Sequence, residues 1–468
     1  MVQAVDRSLR VLEALGSTPD GLALSDIATA SGLPAPTARR LLLSLVAYDY
    51  VMQDEYSRRY RLGPAFGRLS SQVNGSPPGW ARLQSADASL TDVPRGLEGV
   101  VVAETSISSV EGLKGYYHYH QYSAVELAQK CTLEEVWYLI TEGSLPSKSD
   151  AQEFRERVQL LRVLPEPVAA MLHEIVDVQR ASGPLDALRT AVSIFGAGQG
   201  FRSCIEVDRV ELQHQALYLA AVVPTIATAL FRLSQGQEPV PPNPRLSHAE
   251  NLLYMLNGQM PSPEHARALE QYLISTIDHG FNPATFTARV VTSTGADLGA
   301  AVVAAISAFS GSHYGAVVGR ALDTLDAIGI SSDPDAWIRD AIARGERIMG
   351  FGHRLYKADD PRALLLKRIA ENLGGPLVEF ADSVASTAER VIKEMKPGIT
   401  LRANGDYYSA IVMTLCGVPR EMFTSTFASA RVIGWCAHIL EQAADNRVIR
   451  PSSRYIGAPP LQPVPMRA

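Results

Sequence analysis

The sequence predicts a mainly α-helical protein: a small domain of three helices and a β-wing, followed by a much larger helical region. Three observations carry this expectation. Before residue 63, three stretches of helical periodicity precede one segment of alternating residues. From about Gly96 onward, apolar residues recur at helical spacing almost throughout. Strand-like stretches there are few and short.

Val5, Leu9, Leu12 and Leu15 share one helical face, which Thr18-Pro19-Asp20-Gly21 ends. Ser25 is placed to cap a short helix over residues 26–30, and Ser31-Gly32-Leu33-Pro34 turns the chain into a third helix, residues 36–48. Residues 50–63 alternate around a polar turn and read as a two-stranded wing. Three helices and a wing over residues 1–70 make a winged helix-turn-helix, and its wording resembles the N-terminal domain of IclR-type regulators. That resemblance puts the third helix in a DNA major groove, offering Thr37, Arg39 and Arg40, with Arg58 and Arg59 near phosphate. The charge for such a role is thin: residues 1–70 hold eight arginines, no lysine and seven acids. A dimerisation or docking module fits the same pattern. DNA binding would require a dimer reading two half-sites.

Residues 71–79 are polar and turn-rich, opening a linker over residues 71–95 in which 80–94 could pack on either side. Helices are then expected over residues 123–129, 132–142, 151–161, 166–179, 185–193, 206–235, 249–256 and 263–278, and further ones beyond; the chief strand-like stretch is 99–106. The apolar run 216–230 contains Pro224 and is shorter than the ~20 residues that span a bilayer, so it reads as a buried helix. Residues 294–310 are rich in Ala, Gly and Ser, which suits close helix packing, including across a subunit interface.

A chain of 468 residues is too long for one ordinary core. With 20% charged residues and a net charge of −6, it is expected to be cytoplasmic, with no general attraction to nucleic acid or to a membrane. The N-terminus lacks the basic-then-apolar pattern of a signal peptide. Cys131, Cys204, Cys416 and Cys436 are widely separated, which argues against a zinc ribbon or a disulfide framework. No His and carboxylate spacing suggests a metal site, and no resident cofactor is expected.

The most informative stretch runs Ile348-Met349-Gly350-Phe351-Gly352-His353-Arg354-Leu355-Tyr356-Lys357-Ala358-Asp359-Asp360-Pro361-Arg362. A glycine-flanked histidine with an arginine nine residues on suits a small dianion. Alone, Gly-Phe-Gly-His equally fits a tight turn with a solvated imidazole. Its company is Asp278-His279-Gly280-Phe281-Asn282, residues 285–291, Gly405-Asp406-Tyr407-Tyr408-Ser409, Phe427-Ala428-Ser429-Ala430-Arg431 and Ile449-Arg450-Pro451. In this order the set closely resembles the citrate synthase family, over roughly residues 96–457.

The resemblance implies a large helical domain with an inserted small one, near residues 314–415 of a region spanning 96–468, and a homodimer or larger assembly. It also implies condensation of acetyl-CoA, or a related acyl-CoA, with oxaloacetate or a similar 2-oxo acid. Asp406 then takes the base position and His353 that of the acid at the ketone, while His279, Arg362, Arg431 and Arg450 take the oxaloacetate-binding positions, Arg450 reaching a partner's site. Gly350, Phe351, Gly352 and Lys357 match the CoA-contacting loop.

One departure matters. The family's enolate-stabilising histidine lies in a Gly-Pro-Leu-His-Gly-Gly-Ala-Asn loop, which aligns with residues 311–318 and lays that histidine on Tyr314, with His313 one place early. Either residue is a candidate donor. Ser452-Ser453 stand where a further arginine is common. Two other readings stay open: a metabolite-sensing DNA-binding regulator on a degenerate domain, and a subunit supporting an active paralogue.

Overall fold

The computed structural model describes residues 3–16, 18, 21–54, 59–63, 65, 93–178, 183–311, 314–315, 317–331, 333–353, 355–356, 359–396, 401–457 and 461. By contact the chain divides into two units, Met1–Val100 with Arg454–Ala468, and Val101–Ser453.

In the first unit, α1 (Gln3–Gly16), α2 (Leu24–Ser31) and α3 (Ala35–Ala47) precede the antiparallel strands β1 (Val51–Gln53) and β2 (Tyr60–Leu62). Val11, Leu15, Ile27, Leu42, Val51 and Tyr60 form its core. Ser25 does not cap α2. Reciprocal bonds between the Leu22 and Tyr60 backbones tie the chain to β2, and the helix starts immediately afterwards with Ala23 as its N-cap, leaving Ser25 inside the first turn. Gly32, at φ 65°, ends α2 in the left-handed conformation open to glycine, and Pro36 lies in the first turn of α3. Arg39 and Arg40 are exposed on α3, with Thr37 half-buried beside them. Arg59 donates through Nη1 to Gly21 O at 3.1 Å, so part of its guanidinium holds the wing to the preceding turn. Arg58 and the expected linker up to Asp92 lie outside the described residues.

The second unit opens with an antiparallel sheet of β3 (Ser108–Glu111), β4 (Tyr116–Tyr119) and β5 (Tyr122–Ser123), in that order. The strand expected over 99–106 does not form: Val100, Val101 and Val102 are exposed and pair with no described strand, and the hairpin falls just after them. The remainder is helical. Thr132, Ser147 and Ser247 start their helices with reciprocal capping boxes. Several helices shift from their expected bounds because a cap decides: Asp208 starts Arg209–Ser234, and Asp297 starts Leu298–Phe309.

The helix Arg209–Ser234 runs past Pro224 and is long and apolar enough to cross a membrane, which the shorter run 216–230 does not indicate. Its apolar residues are mostly buried in the core. It packs along Phe423–Ala444, and Pro283–Ser293 and Leu298–Phe309 lie against the latter. Helices Val317–Ile330, Pro334–Ala343, Pro361–Leu373, Pro376–Met395 and Gly405–Leu415 pack largely on one another. The four cysteines are unpaired, and no cluster of metal-ligating side chains occurs among the described residues.

Candidate active site

Glycine geometry shapes the segment carrying His353. Gly350 and Gly352 have φ of 88° and 79°, and a Cβ on either would come within 2.8 Å of the Tyr407 or Leu401 side chain. Phe351 bridges Ala403, Gly352 N donates to Arg402 O at 2.8 Å, and Asn404 N donates to Gly350 O at 2.8 Å. Asn404 also donates through Nδ2 to Gly352 O, while its Oδ1 caps the helix Gly405–Leu415 by accepting from Tyr407 N. The loop is thereby fastened to the first turn of the helix that carries Asp406.

His353 accepts two backbone hydrogen bonds at Nδ1, from Leu355 N (3.1 Å) and Tyr356 N (3.2 Å). Its proton is therefore assigned to Nε2, which faces Arg362 Nη2 at 3.2 Å. Burial and the adjacent guanidinium lower the imidazole to about 4, so it is neutral near pH 7. Two donors facing each other form a cradle for an acceptor oxygen. Arg362 is itself held by Asp360 through Nε (3.0 Å) and Nη2 (2.8 Å), leaving Nη1 without a hydrogen bond among the described residues. Burial pushes Asp360 toward its neutral form, but the guanidinium outweighs that and holds its carboxyl below the usual range. Gly405 N donates to Asp360 as well, at 2.9 Å, and a Cβ at Gly405 would crowd Arg362 Nε at 3.1 Å.

His279 enters from another element. Its ring stands edge-on to that of His353, with centroids 5.6 Å apart. Burial, followed by the nearby charges of Arg362 and Arg431, keeps it neutral. The preceding Asp278 is fully buried and takes hydrogen bonds from Ser108 Oγ and Gly280 N, with His438 Nε2 3.3 Å away. Gly434 permits this approach, because a Cβ there would lie 2.3 Å from Ile277 O. Arg431 donates through Nε to Thr276 O at 2.8 Å and stacks over Phe427 at 4.8 Å. Neither of its terminal nitrogens bonds a described residue.

Burial raises the Asp406 carboxyl against the opposing pull of Arg362, which makes it a stronger base than an exposed aspartate. Tyr314 shares this field: burial pushes its phenol up to about 12, and Arg431, Asp278, Arg362 and Asp406 all act on it. Its ring meets Phe309 at 5.4 Å, and Phe309 meets Phe427 beneath Arg431 at 4.9 Å. The Tyr314 hydroxyl bonds none of the described residues.

The comparisons with known proteins agree with this geometry. The model of the citrate synthase C-terminal domain matches residues 96–452. The chain belongs to the citrate synthase family. It is 38% identical to a citrate synthase of Haloferax volcanii over 80% of this chain and 98% of that one. It is also 34% identical to a 2-methylcitrate synthase of Mycobacterium tuberculosis, over 78% of this chain and 91% of the other. Among solved structures, citrate synthase from Thermotoga maritima superimposes with a TM-score of 0.70 at 33% identity, covering 80% of this chain and 98% of that one. The Thermoplasma acidophilum enzyme, in a ternary complex with carboxymethyl coenzyme A and oxaloacetate, gives 0.73 at 29% identity with the same coverage. Residues 4–55 match the IclR helix-turn-helix domain.

Within this citrate synthase-type site, His279, His353, Arg362, Arg431, Asp406 and Tyr314 are thus linked by contact or by shared electrostatics, and Gly350, Phe351 and Gly352 form the adjoining loop. His313 and Lys357 lie outside the described residues. Arg450 is exposed and contacts none of the cluster; the neighbouring Ile449 N anchors its segment to Ser293 Oγ at 3.0 Å. Sequence reasoning missed Asp360, Tyr356, Asn404 and the Asp278–His438 pair. Asp360 had a readable signal, an acid before a proline at a helix start and two residues from an arginine. Tyr356 had none, because its partner His279 is 77 positions away.

Proposed function

We propose that this chain condenses acetyl-CoA, or an acyl-CoA of similar size, with oxaloacetate or a close 2-oxo dicarboxylate, and that the Tyr314 phenol takes the part of the enolate-stabilising donor. The observation carrying the proposal is the pairing of an intact dianion cradle, His353 against Arg362 beside Arg431, with a protonated Tyr314 hydroxyl that bonds none of the described residues. Asp406 removes a proton from the carbon next to the thioester. Tyr314 donates a hydrogen bond to the resulting enolate oxygen. The enolate carbon then attacks the ketone carbon of the dicarboxylate while the neutral His353 donates from Nε2 to the ketone oxygen, which becomes a hydroxyl. Water cleaves the thioester and releases free CoA. Arg362 and Arg431 hold the two carboxylates, for which a planar guanidinium is suited.

The exposure of Arg450 in a single chain supports a homodimer in which it completes the partner's site; sedimentation at micromolar concentration reads that state. The assay for the reaction is thiol release from acetyl-CoA or propionyl-CoA, with and without oxaloacetate. Oxaloacetate-dependent release supports the proposal, and its complete absence in a protein that binds oxaloacetate overturns it. A second reading, a metabolite-responsive DNA-binding regulator, draws support from the match of residues 4–55 and the exposed Arg39 and Arg40. It predicts DNA retention that oxaloacetate alters.

A further inference from the structure

We propose that Tyr356 fixes the tautomer of His279, so that His279 offers a substrate oxygen one N–H donor, from Nδ1. This rests on the reading of His279 as a dicarboxylate contact. Tyr356 Oη lies 3.0 Å from His279 Nε2 and has no other hydrogen-bond partner among the described residues. The residue is buried, its ring centroid 4.8 Å from that of His353 and 5.7 Å from that of His279, with the Arg362 guanidinium 5.9 Å from the ring.

A hydroxyl with one partner must choose its role. If it accepted from an Nε2–H, its own proton would be left without an acceptor in a closed space, a costly arrangement. If it donates to Nε2, that nitrogen is satisfied and the imidazole proton sits on Nδ1. Burial keeps the phenol protonated and thus able to donate. A second proton on the ring is opposed by burial and by Arg362 and Arg431. Nδ1 bonds no described residue. His279 and His353 therefore carry their protons on opposite nitrogens, Nδ1 in one and Nε2 in the other, each offering one donor to an anion held by the arginines. Tyr356 is a positioning residue in this scheme, acting through His279.

The test uses the full chain labelled with 15N-histidine, in which long-range nitrogen–proton spectra distinguish the tautomers, and the His279 signals are assigned by their loss in His279→Gln. Wild type is expected to show a protonated Nδ1 and an unprotonated Nε2 at His279. Tyr356→Phe should move both signals toward a mixture of tautomers and weaken oxaloacetate binding by about three- to tenfold, the worth of one oriented hydrogen bond. Tyr117→Phe is the control. Its ring lies 5.5 Å from His279, but its hydroxyl donates to Ser275 O at 2.9 Å, so its loss should leave the tautomer unchanged. A wild-type His279 protonated at Nε2 overturns the role of Tyr356, and that spectrum needs no variant to fold. Signals that oxaloacetate leaves unmoved, in a protein that it stabilises, overturn instead the reading of His279 as a ligand contact.

Discussion

Arg362 Nη2 points at His353 Nε2 from 3.2 Å, and the groups behind each nitrogen stop either from turning away. Asp360 grips the guanidinium at two nitrogens, and two backbone N–H groups occupy His353 Nδ1. Neither partner is a natural acceptor for the other, so both gain from an oxygen that accepts from each. The pair is preorganised for a carboxylate or a polarised ketone, at a cost that burial of Asp360 and Arg362 together keeps tolerable.

Oxaloacetate should therefore raise the melting temperature. A ligand that binds only the folded state adds about 2.7 kcal/mol at a hundred times its dissociation constant. Arg362→Leu should abolish the increment, but it also leaves Asp360 buried without its partner and lowers the baseline stability. Arg431→Gln avoids that complication and should still lose most of the ligand-induced shift. Scanning calorimetry with and without millimolar oxaloacetate reads both variants, and an undiminished shift in Arg431→Gln would remove that residue from the site.

Tyr314→Phe isolates the hydroxyl, since the ring contact with Phe309 remains. Loss of one oxyanion donor costs about 2.7–4 kcal/mol, so kcat should fall roughly a hundred- to a thousandfold while oxaloacetate affinity barely changes. Tyr314→His should retain part of the activity by offering an N–H instead. Steady-state kinetics of thiol release, paired with calorimetric binding, make the check; full turnover in Tyr314→Phe would put the enolate donor elsewhere.

The parts of this molecule legible in the sequence are those whose signal is local. Helical periodicity located the major helices, and the glycines flanking His353 marked a segment in which Gly350 and Gly352 both take positive φ. Failures came where a distant contact decides. The Leu22–Tyr60 bridge moved the start of α2 away from Ser25, and Val100–Val102 pair with no described strand, so the strand-like stretch there produced no β-structure. Likewise the Asp278–His438 pair and the Tyr356–His279 contact join elements that no spacing rule connects.

Stability should fall as pH drops from about 6.5 toward 4. His353 is lowered to about 4 in the folded chain, against 6.5 for an ordinary imidazole, so between those values the unfolded chain binds the extra proton. The contribution is fully present above the unfolded value and is lost as pH falls through the folded one. His279 and His248 are depressed in the same direction by burial, and Asp406, raised by burial, works in the opposite sense near its own lower range. Each such histidine contributes a slope on the order of 1 kcal/mol per pH unit within its window. Urea midpoints at pH 7, 6 and 5 should fall progressively, and His353→Asn should flatten the trend. Equal slopes in variant and wild type would mean that His353 titrates normally in the folded chain.

The last prediction concerns the first unit. Arg39 and Arg40 are adjacent and exposed in the second turn of α3, a helix whose core contacts run through Ala38 and Leu42. Replacing both arginines with Ala leaves that buried face untouched, so folding should be unaffected, and oxaloacetate affinity should match wild type. If α3 reads a major groove, the double variant should bind a palindromic duplex more weakly, and each lost phosphate contact should reduce the salt slope by about 1. Fluorescence anisotropy at several salt concentrations separates the possibilities. A parallel loss on every duplex would assign the arginines to phosphate, whereas a loss confined to one sequence would assign them to bases. Identical binding by wild type and variant across the salt range would make this face of α3 a protein-docking surface.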